Sequence, residues 1–131
     1  MSSMPVVTAL YGSLNAIFNI ALAARISRLR GKEGVSLGTG ESKALLVAVR
    51  THANNAEFVP LALVLLLLAE LCGGSSLWLH VLGGSLLVSR VSHAIGMPMR
   101  APNPFRFIGT GVTWLMIVCG AGYVLWLRTK S

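Results

Sequence analysis

The sequence predicts an all-α integral membrane protein, a four-helix transmembrane bundle in a single domain spanning residues 1–131. Of these residues 54% are hydrophobic and only 11% are charged, whereas soluble domains carry about 25% charged residues. The chain contains four apolar segments of about 20 residues or more. Each is long enough to cross about 30 Å of hydrocarbon at 1.5 Å per residue of helix.

Helix boundaries follow from start and stop signals in chain order. Proline or a capping residue begins the first, second and fourth segments, at Pro5, Ser42 and Asn103-Pro104. Glycine-rich breaks end the first three, and the second and third are joined by a tight turn at Gly73-Gly74. The predicted helices span about residues 5–28, 42–71, 76–96 and 104–127.

Basic residues lie mainly in two of the connections. The first connection holds Arg25, Arg28, Arg30, Lys32 and Lys43, the third holds Arg100 and Arg106, and the C-terminal tail holds Arg128 and Lys130. The positive-inside rule therefore predicts that the first and third connections are cytoplasmic and that both termini lie outside. A net charge of +7 distributed in this way does not indicate a nucleic-acid partner.

Polar residues directly precede the apolar run 58–69 of the second segment. Arg50, Asn54 and Glu57 have the spacing i, i+4, i+7, which places them on one helical face. A charged side chain near the bilayer centre costs about 3 kcal/mol or more, and such residues usually line a protein cavity. The pattern predicts a polar ligand site within a transmembrane helix.

The tight turn sets the second and third segments antiparallel. Glu57 then lies level with Arg90, about 9 Å below the cytoplasmic boundary, and Asn54 lies level with His93. We expect these residues and Arg50 to line one cavity that opens to the cytoplasm. The alternative is a purely structural Glu57–Arg90 ion pair. Because cationic donors are in excess over the single carboxylate, the predicted ligand is small, polar and net anionic, with an amine that the carboxylate would bind. A second, apolar molecule would have space beside it.

Five further residues have structural interpretations. Asn15 and Asn19 are predicted to form interhelical hydrogen bonds, and Glu70, at the outer end of its helix, to be solvated. Cys72 and Cys119 lie in different segments without metal-ligand or redox spacing, which predicts buried, inert side chains and no metal site.

The polar residues of the second and third segments carry a resemblance to a known family. The pattern Arg50-x-x-x-Asn54-x-x-Glu57-x-x-Pro60 is similar to the second-helix signature of the MAPEG family, the membrane-associated proteins in eicosanoid and glutathione metabolism. His52 resembles its counterpart in the microsomal prostaglandin E synthase branch. The stretches 90–93 and 100–102 resemble that branch near its third and fourth helices, so the resemblance covers nearly the whole chain.

The resemblance implies a homotrimer in the bacterial inner membrane, with glutathione as co-substrate between neighbouring subunits near the cytoplasmic face. By the same resemblance Arg106, or as second candidate Arg100, would hold the glutathione sulfur as thiolate, since a nearby cation lowers the pKa of a thiol. The implied glutathione contacts are Arg28, Arg30, Arg50, His52, Asn54, Glu57, Arg90, His93 and Arg100.

Three departures from the family pattern bear on the activity. Phe58 and Met97 stand where the family often has tyrosine, and Phe107 where the prostaglandin synthase branch has serine. The loss of these hydroxyl groups argues against prostaglandin synthesis.

Two functions remain open. The first is a glutathione transferase or peroxidase that acts on lipophilic electrophiles. The second is a non-catalytic scaffold of the same fold that binds lipid or a partner. A small multidrug transporter is a third and less favoured function. Such a transporter would need a lone carboxylate in an apolar pocket, whereas Glu57 has cationic neighbours.

Overall fold

The computed structural model describes residues 4–130, which form four α-helices and no strands. The prediction of an all-α four-helix bundle is confirmed. The helices are α1 (Val6–Glu33), α2 (Lys43–Leu71), α3 (Ser76–Gly96) and α4 (Pro104–Arg128).

Three of the four helices, α1, α2 and α4, are long and apolar enough to cross a membrane. With 21 residues, α3 is about 31 Å long, but His80, Arg90 and His93 lower its apolarity. Many large side chains on the outside of the bundle are apolar: Ile17, Ile20, Val88 and Val118 are each about two-thirds exposed. Such a surface suits lipid and not water.

The first helix is longer than predicted. It continues through the basic residues to Glu33 and ends at Gly34, whose φ of 66° is the left-handed cap that glycine adopts readily. Basic side chains stabilise the last turn through the helix dipole, and Arg30 and Lys32 lie there. The predicted end near residue 28 was therefore too early.

The helices α2 and α3 are joined by a tight turn in which Gly73 has a φ of 76°. We call this end of the bundle, which also holds the described parts of both termini, the hairpin end. The opposite end, with the α1–α2 and α3–α4 connections, is called the basic end. The α2 helix contacts all three others, while α3 packs most extensively against α4.

The bundle interior changes character along its length. Near the hairpin end the core is apolar and includes Ala62, Leu66 and Leu82. Toward the basic end the buried side chains become polar, and Arg90 and Asn55 are almost fully enclosed. The polar half is the part that bears on function.

Glu70 is buried, so the prediction that it is solvated was wrong. Its two carboxylate oxygens accept the backbone N–H groups of Val7 (2.8 Å) and Thr8 (2.7 Å) at the start of α1. The first N–H groups of a helix have no partner within the helix, and a carboxylate there also meets the positive end of the helix dipole. The Glu70 side chain therefore caps α1 from α2.

The two cysteines also differ from the prediction. Cys72 and Cys119 are free thiols and both are exposed at the surface of the single chain. Cys72 lies at the hairpin turn, and Cys119 lies on a face of α4 that its own chain does not cover.

Candidate functional site

The side chain of Arg90, only 2% exposed, is the centre of the polar interior. Its Nη2 donates to Asn54 Oδ1 at 2.6 Å, its Nε to Asn55 Oδ1 at 3.2 Å and its Nη1 to Thr113 Oγ1 at 3.2 Å. The same Nη2 lies 3.2 Å from His93 Nδ1. These contacts join α2, α3 and α4 around one guanidinium.

Further hydrogen bonds extend this network. Asn55 Nδ2 donates to Asn19 Oδ1 on α1 at 3.1 Å, and Thr113 Oγ1 donates to the Gly109 carbonyl at 2.7 Å. The Ser89 hydroxyl lies 2.9 Å from Thr113 Oγ1. All four helices are thus linked, and the predicted interhelical role of Asn19 is observed. Asn15 instead donates to the Tyr11 carbonyl of its own helix, so that prediction was wrong for Asn15.

Close helix packing brings α4 to this network. A Cβ atom on Gly109 would come within 2.6 Å of the His93 backbone nitrogen, and one on Gly96 within 2.7 Å of Asn103 Oδ1. The two glycines therefore let α3 and α4 approach closely at the basic end. This approach places Thr113 beside Arg90.

Glu57 does not lie beside Arg90, so the alternative of a Glu57–Arg90 ion pair was wrong, and so was the expectation that these two residues line one cavity. Equal height on two helices does not ensure a shared face: Glu57 follows the buried Asn55 by two residues, which turns it about 200° around α2. Glu57 is accordingly exposed, and no carboxylate contacts Arg90 in the described part of the chain.

Arg50 and Glu57 share an outward face of α2. Both are exposed, with the half-buried Asn54 between them. This face also carries Leu61 and Leu68, 53% and 42% exposed. Two charges among exposed leucines are unfavourable toward lipid, so the face is suited to a polar ligand or a neighbouring protein surface.

The two predicted histidine contacts do not lie on this face. His52 is half-buried and, two residues from Arg50, points about 200° away around α2. His93 is enclosed beside Arg90. Arg90 is linked to this face because the Asn54 Oδ1 accepts from its Nη2, and His93 contacts Arg90 and not Asn54. The exposed face itself is formed by Arg50, Asn54 and Glu57.

The basic residues after α1 have different environments. The Arg30 Nη1 donates to loop carbonyls, most closely to that of Gly38 at 2.9 Å, which holds the first connection against the helix. Arg28 is exposed and borders, with Arg25 and Lys32, a cavity of about 270 Å³. Of the two predicted contacts, Arg28 is the one that faces outward.

Arg106 lies in the first turn of α4, where Asn103 Oδ1 accepts its backbone N–H at 3.0 Å. It is exposed, as is Arg100 in the preceding connection. Arg106 borders a cavity of about 580 Å³ whose other walls include Phe107 and Trp114. A guanidinium near the positive end of a helix favours an anion, and the aromatic walls favour an apolar neighbour.

Asn55, Thr113 and Ser89 were missed by the sequence prediction. Each is a buried polar residue within an apolar helix, and that signal could have identified Thr113. Residues 4–130 contain no group of three histidine, cysteine or acidic side chains that could hold a metal ion.

Comparisons with known proteins agree with this architecture. The sequence model of the MAPEG family matches residues 8–126. The inner membrane protein YecN of Escherichia coli strain K12 is 33% identical over 124 residues, covering 92% of this chain and 94% of the relative. YecN of Escherichia coli O6:H1 strain CFT073 gives the same values. No solved structure gives a significant match. A match over nearly the whole length, together with the four-helix architecture, shows that the chain belongs to the MAPEG family.

Proposed function

We propose that this protein binds glutathione in the membrane and uses its thiolate against lipophilic electrophiles, as a glutathione transferase or peroxidase. The observation that carries the proposal is the α2 face on which Arg50 and Glu57 lie exposed on either side of Asn54. Glutathione carries two carboxylates and one ammonium group. Arg50 suits a carboxylate bidentately and Glu57 suits the ammonium.

The proposed binding unit is a homotrimer in the inner membrane. Neither charge on the α2 face has an ion-pair partner among residues 4–130, and the leucines beside them are uncovered. A neighbouring copy would remove these charges from lipid and enclose the ligand between subunits. The name of the Escherichia coli relative supports the inner membrane. The charge distribution supports cytoplasmic access to the basic end.

Arg106 is the proposed catalytic residue. Its guanidinium would hold the glutathione sulfur as thiolate, with the thiol proton released to water. In conjugation the sulfur forms a bond to an electrophilic carbon as the leaving group departs with the bonding electrons. In peroxide reduction two glutathione thiols become a disulfide, and the hydroperoxide becomes an alcohol and water. The cavity bordered by Phe107 and Trp114 would hold the lipophilic substrate.

The activity is tested with detergent-purified protein, glutathione and 1-chloro-2,4-dinitrobenzene, by following the absorbance of the conjugate. Arg106→Ala should reduce turnover by roughly 100-fold, the order seen when one charge-stabilising group is removed, and leave glutathione affinity largely unchanged. Arg128→Ala, at the hairpin end of α4, is the matched control and should retain turnover, whereas a loss of turnover in Arg100→Ala alone would assign the thiolate contact to Arg100. Equal loss of binding and turnover in Arg106→Ala would assign Arg106 to ligand positioning instead.

A second candidate is a non-catalytic scaffold that binds lipid or a partner protein. The apolar Phe58, Met97 and Phe107 favour it, because they remove hydroxyl donors from the region of the proposed sulfur site. A trimer that binds no glutathione and turns over no electrophile would support this candidate.

A further inference from the structure

A groove between α1 and α2 forms a second cavity, separate from the Arg50–Glu57 face. Its volume is about 270 Å³, which corresponds to about nine water molecules at roughly 30 Å³ each. Asn55, on its wall, lies about 140° around α2 from Arg50, so the groove and the proposed glutathione face point in different directions. The groove is lined by residues of α1 and α2, among them Gly12, Asn15, Asn19, Asn55, Ala56 and Pro60.

In a bilayer-spanning orientation, the groove extends from near the middle of the hydrocarbon toward the basic end, and its rim is not covered by the chain. Asn15 is about 14 Å along α1 from Val6, at 1.5 Å per residue. The rim residues Ala16 and Ala56 are exposed, and the floor is closed by the buried Val59. A ligand would therefore enter from the hydrocarbon, and a charged one would be excluded by the cost of charge at that depth.

Two amide groups on the α1 wall have unused hydrogen-bonding capacity. Asn15 is fully buried, and its Oδ1 has no hydrogen-bond partner among residues 4–130. Asn19 Oδ1 accepts from Asn55 Nδ2, while no group in the same range accepts from the Asn19 Nδ2. Asn15 thus has an unpaired acceptor that the chain itself encloses, and Asn19 has an unpaired donor; the spacing i, i+4 on α1 places the two side chains on one face.

The α2 wall adds another acceptor. Pro60 lies inside the helix and has no N–H, so it cannot donate to the Ala56 carbonyl as residue i+4 normally does. Both residues line the groove. An unpaired polar group in hydrocarbon costs several kcal/mol. A ligand that donates a hydrogen bond to the Ala56 carbonyl would therefore stabilise α2.

We infer that this groove binds a small, uncharged, membrane-dissolved alcohol or phenol. A hydroxyl group is the smallest group that both donates, to either the Asn15 Oδ1 or the Ala56 carbonyl, and accepts, from the Asn19 Nδ2. The apolar body of the ligand would lie against Val59 and Leu63. This inference does not depend on glutathione binding.

The test uses the full chain in lipid nanodiscs and ¹⁹F NMR of 4-(trifluoromethyl)phenol, with empty nanodiscs as background. The matched ligand is its methyl ether, which removes the donor and adds one methyl group. We expect saturable broadening of the phenol signal and about tenfold weaker binding of the ether, the effect of one lost hydrogen bond. Equal binding of phenol and ether would overturn the inference.

Variants locate the binding. Gly12→Leu should fill the groove and abolish phenol binding, because a Cβ at Gly12 meets no atom within 4 Å and the fold can accept it. Gly122→Leu is the matched control, since Gly122 has equally open surroundings on α4. Asn15→Leu should weaken the phenol and leave the ether unchanged. Phenol binding that survives Gly12→Leu would contradict the assignment. The assignment would also be contradicted if the wild type bound no phenol and the Gly12→Leu variant lost subunit association. That result would identify the groove as an interface between copies of the chain.

Discussion

Arg90 carries its positive charge into the bundle interior, where every hydrogen bond it makes is to a neutral group. Two asparagines, a threonine and a histidine surround it. Burying a charge without a counter-ion is costly, so the network must be well satisfied to persist. It also fixes Asn54, and hence the centre of the proposed ligand face on α2.

Replacing Arg90 by lysine tests the importance of this network. Lysine keeps the charge but lacks the planar fork that reaches several acceptors. We expect Arg90→Lys to lower the free energy of unfolding by about 1.5–3 kcal/mol, the usual value of a lost charged hydrogen bond, measured by SDS titration of micelle-purified protein. Arg100→Lys, at an exposed position, should unfold like the wild type. Identical stability of Arg90→Lys would mean that the hydrogen bonds contribute little.

At single positions the sequence predicted which residues share a helical face better than it predicted their contacts. The spacing of Arg50, Asn54 and Glu57 placed them on one face because helical periodicity fixes angular position. The partner of Arg90 was predicted from height alone, which ignores rotation about the helix axis. The contact with Thr113 depends on the close approach of α3 and α4 and is not encoded in local periodicity.

Among the elements, α1 depends on a residue from another helix for its N-terminal cap. Glu70 of α2 accepts the N–H groups of Val7 and Thr8. This contact also fixes the vertical register of α1 against α2, and therefore the position of Asn19 beside Asn55. A cap formed by a residue more than 60 positions away could not be predicted from the start signals of α1.

Removing this cap should loosen the start of α1. Glu70→Ala should reduce stability by about 1–2 kcal/mol, as capping substitutions do, and speed amide hydrogen exchange of Val7 and Thr8. Glu33→Ala, at the exposed opposite end of α1, serves as the control. Unchanged exchange at Val7 in Glu70→Ala would show that the carboxylate is dispensable.

Element boundaries followed the sequence closely where caps are local. The α2 helix begins after Ser42, whose hydroxyl accepts the Leu45 N–H, and α4 begins at Pro104 after the cap Asn103. The end of α1 was missed because the basic residues are themselves good helix formers. They were interpreted as a connection on charge alone.

The whole molecule is divided into an apolar hairpin end and a polar basic end. This division gives the single chain a stable core on one side and, on the other, a charged face that its own helices leave uncovered. Composition and segment length were sufficient to predict the four-helix membrane fold. The association of chains depends on surfaces that match each other in three dimensions; the homotrimer was implied by the family resemblance, and the uncovered face supports the proposal.

Native mass spectrometry of the detergent-solubilised protein tests the association. We expect a species of three chains of 13.9 kDa, stable when detergent is stripped in the gas phase. A strictly monomeric spectrum across several mild detergents would contradict the proposed trimer and leave the charges of α2 to be covered by something else.

The central claim, that the α2 face receives glutathione, is tested most directly by calorimetric titration of glutathione into the purified protein. Saturable binding is expected. Arg50→Ala and Glu57→Ala should each weaken it by about 1.5–3 kcal/mol, the value of charge-assisted hydrogen bonds. Arg128→Ala, at the hairpin end, should bind like the wild type. Absence of binding to the wild type, or equal affinity in all variants, would contradict the claim.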